Sequence, residues 1–181
     1  MKNNDTRYGV PTIALHWLML ALIAAAYATI ELRELWPKGT PVREGLKSLH
    51  FTIGLTVLVL VVARIAARIA SGPAPAIRPE PSPLQHKLSA AVHGLLYLFM
   101  IAMPIAGWVI LSASGKPVTF LGLALPSLVA ESKALATSVK EVHELVGNAG
   151  YFVIGLHALA ALAHHYGMRD NTLMRMLPGR G

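Results

Sequence analysis

The sequence contains no cysteine, which excludes disulfides, thiolate zinc sites, iron–sulfur clusters and the covalent attachment of c-type haem. Charge is also scarce: 14% of the 181 residues are Asp, Glu, Lys or Arg, against about 25% in soluble proteins. Hydrophobic residues make up 54% of the chain, and the mean hydropathy is +0.53. This composition predicts a membrane protein and argues against a cytosolic enzyme.

The basic residues do not form a nucleic-acid interface, although the net charge is +7. Lys and Arg stand between apolar stretches, and no basic run contains interleaved aromatic residues. We therefore interpret them as charges that flank membrane helices. The expected partner is a lipid bilayer, and nucleic acid is not an expected partner.

Four long intervals without Asp, Glu, Lys or Arg match the length of membrane helices. A bilayer core about 30 Å thick needs about 20 helical residues, and snorkelling Lys and Arg extend a shorter interval. The predicted all-α fold is a four-helix membrane bundle in one domain, 1–181, with helices at about 11–31, 47–70, 85–112 and 139–166. A signal peptide is the alternative for the first helix, but the uncharged stretch 8–30 exceeds the usual hydrophobic region of about 7–15 residues.

Two connections and the distribution of charge complete the expected topology. The uncharged segment 117–130 is too short to span and is expected to be an interfacial or re-entrant piece. The proline-rich segment 71–83 is expected to be a stiff linker. The side holding the N-terminus, the 64–87 loop and the C-terminal tail carries nine Lys and Arg, and the other side carries seven. Both termini are therefore expected in the cytoplasm.

Histidine is the abundant ionisable residue of the apolar segments, and ionisable residues inside a bilayer are costly and usually functional. The eight are His16, His50, His86, His93, His143, His157, His164 and His165. A lone histidine is equally well explained as a hydrogen-bonded packing residue. The number and depth of these histidines favour ligands.

The spacing of the histidines predicts two pairs at different depths. His143 and His157 lie within about 40° of one helix face and about 21 Å apart along the axis. With the termini in the cytoplasm, His50 is level with His143 near the periplasm, and His16 is level with His157 near the cytoplasm. The expected pairs are His50 with His143 and His16 with His157.

Haem is the group that best suits such pairs. Zinc would require a third or fourth ligand, whereas haem iron takes two axial imidazoles, and its apolar faces suit a helical bundle. Gly54 and Gly147, one turn after His50 and His143, would let a flat macrocycle approach the backbone, although ordinary helix contact through glycine explains them too.

Several further residues are expected next to the haems rather than on the iron. Lys47 and Lys140, one turn from the periplasmic pair, would bind propionates or attract an anion, or simply snorkel. Arg64 and Arg68 would serve the cytoplasmic propionates. His93 is placed beside the cytoplasmic pair, with replacement of a ligand, a propionate bond and a quinone pocket as alternatives.

The remaining histidines lie nearer the cytoplasmic interface. His86 is expected to be solvated. His164 returns to nearly the face of His157, which suggests a proton-relay or quinone role.

The residues resemble the bacterial cytochrome b561 family of four-helix di-haem membrane proteins over nearly the whole chain. The matching stretches are LHW at 15–17, SLHFTIG at 48–54, VHGLLYLFMIAMPIAGW at 92–108, VHELVGNAGYFVIGLHALAALAHHY at 142–166 and DNTLMRMLP at 170–178. The terminal block is most similar to the small members described as superoxide oxidases, and less to hydrogenase or formate dehydrogenase subunits.

The resemblance implies a multi-pass protein of the bacterial inner membrane with two non-covalent haems b. Its ligand pattern falls on His16, His50, His143 and His157, in agreement with the depth argument. It further implies that superoxide is oxidised at the periplasmic face and that ubiquinone accepts the electrons. No side chain is expected to act as nucleophile or general base, because the cofactor carries the chemistry.

Two other functions fit the same residues. One is a cytochrome subunit that passes electrons between a partner dehydrogenase or hydrogenase and the quinone pool. The other is a transporter that uses histidines as metal ligands. Copurification of an iron–sulfur or molybdenum subunit would favour the first, and a colourless, iron-free protein would favour the second.

Overall fold

The computed structural model describes residues 2–178 as four long helices and one small hairpin. The elements are α1 (Val10–Leu32), α2 (Pro41–Ala70), α3 (Pro83–Ala113), β1 (Val118–Phe120), β2 (Leu123–Leu125) and α4 (Lys133–Leu162). A 3₁₀ turn, Arg33–Leu35, extends α1; a π-helical turn, Ala163–Gly167, extends α4; and a 3₁₀ turn, Met174–Met176, follows. All four helices are long and apolar enough to cross a membrane. Arg180, counted above among the nine basic residues, lies outside the described residues.

Local capping signals set the beginnings of the helices. Pro41 occupies the first turn of α2, where its missing N–H costs nothing. Ser82 and Gln85 form a reciprocal capping box at the start of α3, and the Ser132 side chain accepts from a backbone amide of α4. As a result α2 and α4 begin six residues before the expected 47 and 139. The expected starts were based on intervals without charged residues. They came too late because the first turns of both helices carry charge.

The segment 117–130 contains a two-stranded antiparallel hairpin. Val118 pairs with Leu125 and Phe120 with Leu123. The two turn residues, Leu121 and Gly122, have φ of +50° and +83°, as a type I′ turn requires. Val118 is buried, and the α3 indole of Trp108 donates a hydrogen bond of 3.0 Å to the Pro126 carbonyl. These contacts fix the hairpin beside the last turns of α3.

The opposite end of the bundle is tied together by three segments, 2–9, 71–83 and 168–178, which we call the terminal clamp. The Asn3 side chain donates to the Pro73 carbonyl at 2.8 Å, and the backbone amide of Arg78 donates to the Asn171 side chain at 2.8 Å. The Arg7 guanidinium donates to the Leu177 carbonyl at 2.8 Å. The proline-rich segment is therefore held on both sides and is not a free linker. We call this end of the bundle the terminal end and the opposite one the hairpin end.

The buried core of the described chain lies among α1, α2 and α3. Its centre consists of Met19, Ile53, Val57, Val61 and Met100. Many large apolar side chains instead face outward, such as Phe152, which is 80% exposed. In a membrane this surface faces lipid, so its exposure carries no penalty. Only Gly150 of α4 is buried, because α4 packs mainly on α3 and leaves space toward α1 and α2.

Candidate haem sites

The hairpin-side pair consists of His50 on α2 and His143 on α4. Their ring centroids are 6.4 Å apart and the ring planes cross at 78°. His50 donates through Nδ1 to the Ala26 carbonyl at 2.9 Å, which leaves the Nε2 lone pair for a metal. The Nδ1 of His143 is buried, and the backbone of Met103 on α3 is its polar neighbour.

The terminal-side pair consists of His16 on α1 and His157 on α4, with ring centroids 6.1 Å apart and planes crossing at 69°. An Arg64 guanidinium nitrogen lies 3.2 Å from the His16 Nδ1. Since a guanidinium only donates, Nδ1 is the acceptor in this contact. Binding of a metal at the His16 Nε2 would move the proton to Nδ1 and release Arg64 toward any anion nearby.

Both separations fit an iron ion held between two imidazoles. Ring centroids on opposite sides of one metal lie roughly 6 to 6.5 Å apart, since a metal–imidazole bond is about 2.1 Å and the centroid lies about 1.1 Å further. The observed 6.1 and 6.4 Å meet this requirement. Within residues 2–178 no three His, Cys, Asp or Glu side chains gather as a metal-ion cluster. The donor sets therefore suit haem iron, whose other four ligands come from the porphyrin.

His93 on α3 lies beside the terminal-side pair. Its ring centroid is 5.2 Å from that of His157, and its Nδ1 donates to the Ser89 carbonyl at 2.7 Å. A separation of 5.2 Å is too short for rings on opposite sides of one iron. The geometry thus favours His93 as a neighbour of the ligands, and its exact role stays a prediction.

The two glycines predicted to admit a macrocycle differ in their surroundings. A Cβ placed on Gly54, one turn from His50, would meet nothing within 4 Å, so this position borders open space. A Cβ on Gly147 would lie 3.6 Å from Met103, and the Gly147 carbonyl accepts a hydrogen bond from Tyr27. Gly54 therefore suits a cradle for a flat group, whereas Gly147 serves helix packing.

The predicted basic residues at the hairpin end are already ion-paired. Lys47 lies 2.7 Å from Glu44 on the same helix, and Lys140 lies 2.8 Å from Glu144. Each lysine and its glutamate therefore act as a dipole, which attracts an anion less strongly than an isolated positive charge would. At the other end, Arg68 is exposed in the last turn of α2, in the same region as Arg64.

The other histidines occupy the terminal end. His86 is exposed in the first turn of α3, where solvation was expected. His164, in the π-helical turn, contacts Asp170 through Nδ1 at 2.5 Å. Burial raises the pKa of Asp170, but hydrogen bonds from His164 and Thr172 outweigh it and hold that pKa below its usual range.

Sequence reasoning did not identify two residues that shape these sites. Tyr27 on α1 donates to the Gly147 carbonyl at 2.6 Å and stacks on Tyr151 with centroids 4.2 Å apart. Arg175 is buried in the terminal clamp, where it donates to the Pro75 carbonyl and lies over the Tyr8 ring. The sequence does contain a signal for Tyr27, because it is a polar aromatic residue deep in an apolar helix. The sequence contains no such signal for Arg175, because it cannot be distinguished from the other charges that flank the membrane helices.

Comparison with known families decides between these chemistries. The profile described as prokaryotic cytochrome b561 matches residues 7–179. The chain belongs to this family. The cytochrome is 42% identical over 172 residues to "Probable superoxide oxidase CybB" of Yersinia pestis, covering 95% of this chain and 96% of the relative. It is 37% identical to "Cytochrome b561 homolog 1" of Escherichia coli K12, covering 96% and 98%.

Family membership and the four spanning helices establish several points. The cytochrome is a multi-pass protein of the bacterial inner membrane. Its family uses b-type haem for electron transfer, so the chain is an oxidoreductase component embedded in a lipid bilayer. The predicted family and fold class are confirmed.

Proposed function

We propose that this cytochrome is a superoxide oxidase that holds two haems b and passes electrons to ubiquinone. Two superoxide ions each give up one electron and leave as dioxygen. One quinone takes both electrons and two protons and becomes a quinol. The orientation we propose places the hairpin end in the periplasm and the terminal end in the cytoplasm, as the positive-inside count favours.

The observation that carries this proposal is the presence of two histidine pairs at two different depths along α4, each with the separation that a bis-imidazole iron needs. Two such sites in one small bundle suit transfer across the membrane better than a single site. The relative named as a probable superoxide oxidase supports the choice of donor.

The roles of the side chains follow from their contacts. His50 and His143 would hold the periplasmic haem, and His16 and His157 the cytoplasmic one. Ala26 orients the His50 ring through its carbonyl. Arg64, once released from His16, would meet a propionate of the cytoplasmic haem, with Arg68 near it. When bound, haem supplies the one-electron chemistry, and no side chain needs to form a bond to the substrate.

The two predicted lysines at the hairpin end give an approaching superoxide ion only a limited positive field. Because Lys47 and Lys140 are paired with glutamates, their steering effect is short-ranged and sensitive to ionic strength. We propose that these two lysines help an anion approach the periplasmic haem. Their pairing limits the size of the effect.

The test begins with haem content and ends with substrate. Protein purified in detergent should carry two non-covalent haems b per chain. His50→Ala and His143→Ala should remove one haem, and His16→Ala and His157→Ala the other. Superoxide generated enzymatically should then reduce the haems and a soluble ubiquinone analogue.

Each contrary outcome points elsewhere. Loss of both haems from every single variant would contradict the two-pair assignment. Haems that superoxide does not reduce would favour an electron-transfer subunit, especially if a dehydrogenase copurifies. A colourless protein would favour a histidine-lined transporter.

A further inference from the structure

Gly150 is the one buried residue of α4 within the described chain, and two aromatic rings press against it. A Cβ at position 150 would lie 2.7 Å from two ring carbons of Phe99, and it would overlap the Tyr27 hydroxyl. Only a residue without a side chain leaves room for both rings. Tyr27 on α1 and Phe99 on α3 thus reach α4 at one level of the bundle.

That level lies midway between the two histidine pairs. Gly150 is seven residues from both His143 and His157, which places it about 10 Å from each along the helix axis. Seven residues return to nearly the same helix face, with a drift of about 20°. The two rings therefore cross the bundle interior between the positions of the predicted haems.

Tyr27 is held in place by two further contacts. Its hydroxyl donates to the Gly147 carbonyl at 2.6 Å, and its ring stacks on Tyr151 with centroids 4.2 Å apart. The neighbouring residue on α1, Ala26, accepts from His50. The ring is thus fixed relative to the hairpin-side pair.

We propose that Tyr27 and Phe99, seated on Gly150, form an aromatic partition that lets electrons pass between the two haem sites and blocks water and protons. The inference rests on the proposed function for its two haems. Electrons tunnel through packed side chains and need no open space. A proton needs a chain of water or polar groups, and a constriction lined by apolar rings excludes water.

Polar groups on both sides of the rings make such a barrier necessary. The hairpin side offers His143 and the Gly147 carbonyl, and the terminal side offers His16, His157 and Arg64. If the rings were removed, the space would have enough polar partners to hold water. A file of water molecules there would conduct protons down the membrane potential and so dissipate it. The proposed electron path has to leave that potential intact.

The test measures proton leak in a sealed membrane. The holoprotein is reconstituted in vesicles of phosphatidylethanolamine and phosphatidylglycerol that contain a pH-sensitive dye, and valinomycin sets a potassium diffusion potential. The wild type should leak as slowly as protein-free vesicles. The double variant Tyr27→Ala with Phe99→Ala should leak several-fold faster while its visible spectrum still shows bound haem.

Phe152→Ala is the matched control. Phe152 lies two residues from Gly150 and is 80% exposed on the outer surface of the bundle, so its removal should not change the leak. Tyr27→Phe, which keeps the ring and loses only the hydroxyl, should also remain tight. Equal leaks in Phe152→Ala and the double variant would overturn the partition, since any loosening would then suffice.

Two further outcomes are decisive. A double variant that binds two haems and leaks at the wild-type rate overturns the proposal. Should the double variant fail to fold, the milder Phe99→Leu decides in the same assay, with a faster leak supporting the partition and an unchanged leak overturning it. The assay uses neither superoxide nor quinone, so its failure is distinct from failure of the proposed function.

Discussion

His50 donates through Nδ1 to the Ala26 carbonyl at 2.9 Å, so a residue of α1 orients a ring that belongs to α2. The bond assigns the proton to Nδ1 and leaves the Nε2 lone pair for a metal, and the His143 ring centroid lies 6.4 Å from that of His50. Second contacts of this kind fix the tautomer and ring angle of metal-binding histidines. The α1 backbone at Ala26 is not a predicted metal ligand, yet it fixes the orientation of one ring of the hairpin-side pair.

His93→Ala should leave two haems per chain. Its ring is too close to His157 to share an iron from the opposite side, so its removal leaves both predicted ligand pairs intact. Quinone reduction should slow if His93 borders the quinone. The measurement is the haem-to-protein ratio from the reduced spectrum, with His86→Ala, an exposed histidine of the same helix, as control. Loss of one haem would make His93 a ligand.

Lys47→Glu combined with Lys140→Glu should slow the oxidation of superoxide several-fold. Each change places a new carboxylate beside an existing one, Glu44 or Glu144, and repels an anion from the hairpin end. The dependence of the rate on ionic strength should weaken as well. Lys87→Glu, at the terminal end, should leave the rate unchanged. An unaltered rate in the double variant would remove these lysines from the approach path.

Asp170→Asn should flatten the dependence of stability on acid pH. The folded protein holds the pKa of Asp170 below its usual value, so the unfolded chain binds the proton more tightly. The stabilisation is complete above the unfolded pKa of about 3.9 and is lost as pH falls through the folded value. Thermal unfolding in detergent between about pH 3 and pH 7 measures it. Thr6→Ala, a change at an exposed residue of the same end that does not titrate, should keep the wild-type slope.

Leu121→Asn should stabilise the protein by about 1 kcal/mol, since leucine at positive φ is strained and asparagine tolerates that conformation. Leu121 has φ of +50° and is 76% exposed, so no buried packing is lost. The midpoint of thermal unfolding in detergent should rise. Thr119→Asn, exposed in the preceding strand, should not raise it. A lower midpoint for Leu121→Asn would show that the leucine side chain contributes more than the strain costs.

Long apolar intervals made the helices predictable, because a bilayer demands a minimum length of uncharged chain. The same criterion placed the starts of α2 and α4 too late, since proline and serine capping act in turns that carry charge. Helical spacing also brought His143 and His157 to one face. Their pairing with His50 and His16 was predicted from the depth of each histidine in the membrane. That depth follows from the order and direction of the helices.

Other features depend on contacts between segments far apart in the chain. Nothing near Arg175 in the sequence indicates that it would be buried over Tyr8. The ion pairs of Lys47 and Lys140 were readable from helical spacing to Glu44 and Glu144, yet spacing alone does not show which rotamer is occupied. Gly150 becomes informative only when two other helices bring their rings against it.

The terminal clamp has a consequence for biogenesis. The bond from Arg7 to the Leu177 carbonyl joins residues 170 positions apart, and the Trp17 indole donates to the Met176 carbonyl across 159 positions. Neither bond can form until α4 has entered the membrane. Since helices insert in order of synthesis, α1 and the segment before it cannot form these contacts until the residues after α4 have been synthesised. Closure of the clamp thus requires all four helices to be in the membrane.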